Sequence, residues 1–233
     1  MIFQNSVERH SRRYAVLLVL LLFALALESI NVRGGDQSVA DVLRLALGVA
    51  IWFVVFKRPR ERLAIGVVIV VASVLNWGRY LAPENLHHAL SLAEQAMLAL
   101  FFWSAVCAIL RDLFRAPTTS AENVLGAICG YVIAGFAWAR LNAIAYLLVP
   151  SAFAIDPAVA VLLPSLHGRV ALFTYYAFSQ VLMLGYSDVT PIRAPATTLS
   201  LFAALFGVFY TAIVVSQFVG LAQSEKGGGR ADE

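Results

Sequence analysis

Long apolar runs alternate with short, charge-bearing loops along most of this chain. Runs at residues 14–30, 39–56, 63–81, 86–110 and 124–148 fall in or near the ~17–25 residues that a helix needs to cross a bilayer. A further run, 194–224, holds 31 residues without one formal charge. The pattern predicts six membrane-spanning helices. The polar tail 225–233 contains three consecutive glycines and is expected to be disordered. The first run also has the layout of a signal peptide: a basic start, an apolar core, then Ala24-Leu25-Ala26. Its cleavage would leave the orientation of the other helices unchanged.

One segment departs from the spanning pattern. Residues 170–187 are uncharged, so hydropathy by itself predicts a seventh span, with the C-terminus outside. Yet Thr174, Tyr175, Tyr176, Ser179 and Gln180 fleck the run with polar groups, and it ends in Gly185-Tyr186-Ser187-Asp188 and Pro191, which are turn formers. Irregular backbone at membrane depth survives only where protein buries it or water reaches it. A short helix that enters, stops and returns as extended chain fits better.

Composition supports lipid as the solvent. The 233 residues are 61% hydrophobic and 13% charged, against ~25% charged in soluble domains, and the mean hydropathy is +0.80. The net charge of +3 does not indicate nucleic-acid binding, because the basic residues flank apolar runs. Arg9, Arg12 and Arg13, then Lys57, Arg58, Arg60 and Arg62, then Arg111 and Arg115, then Lys226 and Arg230 place 11 of 17 basic residues on one side. Lys and Arg favour the cytoplasmic side, so both termini are expected there, in a multi-pass protein of the cell (inner) membrane. Cys107 and Cys129 lie within apolar helices and are read as packing thiols.

The motif Leu184-Gly185-Tyr186-Ser187-Asp188-Val189-Thr190-Pro191 resembles the filter of potassium channels, Thr-Val/Leu-Gly-Tyr-Gly-Asp followed by a hydrophobic residue, Thr and Pro. Tyr175-Tyr176-Ala177-Phe178 resembles the aromatic pore helix. Gly126-Ala127-Ile128-Cys129-Gly130-Tyr131 is similar to the outer helix of bacterial two-helix-pore channels. Gly207-Val208-Phe209-Tyr210 and Phe218-Val219-Gly220-Leu221 are similar to their inner helix. The likeness is strong over about 120–223 and loose before it. It implies an all-α membrane protein with a re-entrant pore helix and filter between the fifth and sixth spans. Its parts would be a cytoplasmic N-terminus (1–13), a sensor-like four-helix domain (14–115), a pore domain (120–224) and the tail (225–233).

A potassium filter replaces the ion's water with rings of backbone carbonyls from four chains. The resemblance therefore implies a homo-tetramer in the lipid bilayer, with no cofactor beyond the permeant potassium or other monovalent cation. The filter would comprise Met183, Leu184, Gly185, Tyr186 and Ser187, with Asp188 at the outer mouth. Aiming successive carbonyls at one axis needs positive φ at some positions, for which glycine is best suited, and Gly185 meets that need. Met183 stands where the family has threonine and loses a hydroxyl ring that a thioether does not replace. Ser187 stands where the family has glycine, at a cost of ~1–2 kcal/mol per chain if left-handed. Normal potassium conduction, weakly selective cation conduction and a non-conducting relative all remain open.

Residues 86–110 hold no Arg or Lys, so voltage sensing through the fourth helix is not expected. Asp41 and Arg44, three apart, share a helix face and are expected to pair near the outer end. Glu94 needs a partner, Asn76 or Arg79. His87 and His88 are placed at the outer interface. Arg140 is expected to snorkel to the interface, with a contact to the pore-loop surround as the sharper alternative. Gly126 and Gly130 form a small-residue packing face, and Gly207 is a candidate gating hinge because glycine weakens a helix. No nucleophile–base pair, phosphate loop or metal cluster suggests an enzyme, and no soluble partner is expected. A secondary transporter is the alternative from another class, although only the C-terminal half is interrupted and no repeat is apparent. A membrane scaffold is the third reading.

Overall fold

The computed structural model describes residues 2–31, 37–79, 81–116, 120–185 and 188–228. Eight helices and two short strands follow in order: α1 (Ile2–Asn31), α2 (Gln37–Val55), α3 (Pro59–Gly78), α4 (Glu84–Phe114), α5 (Ala121–Leu148), a 3-10 turn (Pro150–Ala152), β1 (Phe153–Ile155), α6 (Pro157–Ala160), α7 (Leu166–Val181), β2 (Val189–Pro191) and α8 (Ala196–Gly228). All six expected apolar runs are helical. The segments α3, α4, α5 and Ala196–Gly220 of α8 are each long and apolar enough to cross a membrane. The apolar stretch Arg13–Leu27 of α1 is shorter.

Helix boundaries follow local chemistry. Pro59 opens α3, where its missing N–H is harmless. Ser120 caps α5 by accepting from the Asn123 N–H at 3.2 Å, and Ser165 caps α7 by accepting from the Gly168 N–H at 3.0 Å. α8 continues to Gly228, where Glu225 and Lys226 are good helix formers, and the rest of the tail lies outside the described residues.

Burial is inverted relative to a water-soluble protein. Val19, Phe53, Leu63, Val74 and Leu201 are more than half exposed, while Arg140 is 4% and Glu94 6% exposed. Apolar side chains facing outward and charges facing inward suit a lipid surround. α5 lies centrally, packed on α1, α4, α7 and α8. The main core joins α1, α2, α4 and α5 through Leu17, Ile51, Phe101, Ile133 and Phe136. A second core, around Phe153, Phe173 and Tyr176, seats α7 beside β1 and α8. Cys129 is buried as expected, but Cys107 is exposed on α4.

Candidate functional site

The course of residues 166–191 is set by contacts at three levels. α7 starts near the end of α5 and stops at Val181, whose carbonyl accepts from Tyr131 Oη at 2.9 Å. Tyr131 lies in the first half of α5. The Val181 carbonyl also abuts Gly207, well inside α8, leaving no room there for a Cβ. The chain then returns, and β2 pairs antiparallel with β1, Phe153 opposite Pro191 and Ile155 opposite Val189. β1 follows directly after α5. α7 therefore ends level with the middle of α5 and α8, and β2 lies beside β1 at the end of α5. The aromatic stretch identified in the sequence anchors α7: Tyr176 is fully buried, with its hydroxyl on Ser200, and Phe178 packs so closely on Gly135 that a Cβ would collide with its ring.

At the tip, α7 closes in a paired C-terminal cap. The Met183 N–H donates to the Gln180 carbonyl at 3.0 Å and the Leu184 N–H to Ser179 at 2.9 Å, with Met183 left-handed at φ +55°. This is the Schellman arrangement. Gly185 is also left-handed, at φ +73°, as the sequence led us to expect. The carbonyls of Met183, Leu184 and Gly185 accept no hydrogen bond from the described residues. Sequence reasoning placed Met183 among the filter carbonyls without the hydroxyl ring and said nothing of its own backbone conformation. A left-handed non-glycine residue costs ~1–2 kcal/mol, and the two cap bonds offset that cost. Tyr186 and Ser187 lie outside the described residues. Asp188 is exposed at the end of the loop, where its carbonyl accepts from the Asp156 N–H at 2.9 Å.

Three of the singled-out glycines, Gly126, Gly130 and Gly207, pack against neighbouring helices within the chain. Gly126 faces the Tyr14 ring of α1, while Gly130 faces Tyr210 of α8 and Ile109 of α4. Gly207 admits the Val181 carbonyl at a distance that leaves no room for a Cβ.

A buried polar cluster occupies the end of the molecule where α1, α3 and α5 finish and α2, α4 and α7 begin. Asp41 and Arg44 pair at 3.6 Å, and Glu94 finds Arg79 at 3.4 Å, both as anticipated. Arg79 also bonds Asn76 and Ser91. The snorkelling expected of Arg140 is corrected: its guanidinium is buried, donates to Gln95 Oε1 at 3.3 Å and lies 5.9 Å from the Phe102 ring centre. The carboxylates and polar groups beside it supply the partners it would otherwise seek at the interface. Asp41, Asn76, Glu94 and Arg140 line a cavity of about 110 Å³. His167 was missed altogether. Its Nε2 lies 3.1 Å from Asp41 Oδ1, a contact spanning 126 positions that no local pattern announces. His87 and His88 are exposed and bond the carbonyls of Ala82 and Leu147.

No protein-family model, curated protein or solved structure matches this chain.

Proposed function

We propose that this protein is a subunit of a channel-like membrane assembly that passes monovalent cations through a filter of backbone carbonyls. The observation that carries this reading is a short helix, α7, ending at mid-helix level, three carbonyls at its tip that accept no hydrogen bond from the described residues, and β2 lying back beside β1 at the starting end. In a bilayer this is a re-entrant loop, and its carbonyls are the group that replaces an ion's hydration. The C-terminal end of α7 adds a negative dipole end that favours cations. One chain supplies one filter strand, so the reading requires a symmetric assembly, a homo-tetramer. It also takes α1 and α2 as spans, giving six in the cell inner membrane with both termini cytoplasmic. Asp188 then sits at the outer mouth. Arg44, Arg79 and Arg140 each have acidic or polar partners and α4 has no Arg or Lys at membrane depth, so gating is not by voltage through that helix.

A second reading, weakly selective conduction, is favoured by Met183. Its backbone closes the helix cap and its side chain is 61% exposed, so the innermost ring differs from one built on threonine hydroxyls. Purified protein in liposomes, with reversal potentials measured in potassium and sodium gradients and the mass of the complex determined, tests both. A tetrameric mass with cation flux is expected. A monomer without flux overturns the channel reading, and strong potassium selectivity removes the second one.

A further inference from the structure

We infer that Asp41 and His167 form a proton-operated latch between the four-helix region and the start of α7. The inference rests on the geometry of the buried cluster and stands apart from whether the loop conducts. α7 is held at its C-terminal end by the Tyr131 hydroxyl on the Val181 carbonyl. At its N-terminal end His167 Nε2 meets Asp41 Oδ1 at 3.1 Å, with side chains 12% and 5% exposed. The acceptor is a carboxylate, so Nε2 carries the hydrogen. Histidine is the side chain that ordinarily changes charge between pH 5 and 8. Adding a proton turns this neutral-donor bond into a bond between opposite charges, a class roughly twice as strong.

The surrounding charges set the sign. α2 contributes Asp41 and Arg44, the end of α3 Arg79, α4 Glu94, α5 Arg140, and α7 itself Arg169. Among the described side chains, α1 has its one charge, Arg13, at the opposite end, and α8 has none. Arg44 opposes protonation most directly, because it lies 3.6 Å from the same Asp41 oxygen. It is 26% exposed, however, and water screens it more than it screens the buried His167–Asp41 contact. Glu94 is occupied by Arg79. The direct contact therefore wins: the latch is tightest below the histidine range and loosens as pH rises through it.

Hydrogen–deuterium exchange of the full-length protein in nanodiscs at pH 5.5 and 7.5 tests the latch. After correction for intrinsic exchange, the amides of residues 168–171 are expected to be about tenfold more protected at pH 5.5. His167→Gln keeps a donor but does not titrate, and its protection should be the same at both pH values. Equal protection in the wild type at the two pH values overturns the latch, as does a pH effect that persists in His167→Gln. Should that variant not fold, Asp41→Asn is expected to flatten the pH effect, and His167 must titrate by NMR between pH 5 and 8 in the wild type; failure of either overturns the latch. Liposome flux is recorded on the same preparations. pH-dependent protection without flux supports the latch and removes only the conduction reading.

Discussion

The four-helix region and the α5–α7–α8 seam bury polarity by different means. The first uses full charges, Glu94 with Arg79 and Asp41 with Arg44 and His167, around a small cavity. The second uses neutral hydroxyls on carbonyls, Tyr131 on Val181 and Tyr210 on Ala127, and glycines that bring backbones and rings into contact. Charges in a low dielectric interact strongly and cost much when unpaired. A charged junction can thus be reset by one proton. A seam of close-packed glycines and rings has no such adjustable term and holds one geometry. Mobility is then expected at the charged end of α7 and rigidity at the end carrying the Met183–Gly185 turn.

The largest expected effect breaks the charged side of this contrast. Glu94→Leu leaves Arg79 without its carboxylate and should lower unfolding free energy in detergent by about 3–5 kcal/mol. The double variant with Arg79→Leu should cost less than the sum of the two single losses. Additive losses would show that the pair is not coupled. Next comes the steric seam: Gly207→Ala drives a methyl into the Val181 carbonyl and should cost about 1–3 kcal/mol. A stable Gly207→Ala protein would mean that α8 and α7 do not approach this closely. Tyr131→Phe removes one donor from Val181 and should cost about 1 kcal/mol by denaturant titration. Lys57→Ala is the weakest change. Its bond to Asp112 spans 3.2 Å between side chains 55% and 36% exposed, so a loss below about 1 kcal/mol is expected, fading with added salt. A larger loss there would mean that the surface pair contributes as a buried one does.

How much was legible in the sequence differs between these regions for a physical reason. The helices were readable because lipid demands long apolar runs with charges at their ends. The partnership of Glu94 with Arg79 was legible because a buried carboxylate at that depth needs a cation and few were in reach. The turn after α7 was legible in its residue types, and the left-handed Gly185 follows from them. Arg140 misled the reading, since a helix-end arginine reaches interface or interior equally well, and only the neighbouring Gln95 and Phe102 decide which. The left-handed backbone of Met183 comes from the cap hydrogen bonds, which its side chain does not announce.

By itself the sequence determined that the chain is helical, apolar on its outside and interrupted between its last two long helices, because these are consequences of local pattern and solvent. The tertiary structure decided that α7 ends beside Tyr131 and Gly207, that Gly207 is a place of contact, and that His167 meets Asp41. Such facts depend on which helix ends lie together, and residues 126 positions apart carry no local record of being neighbours.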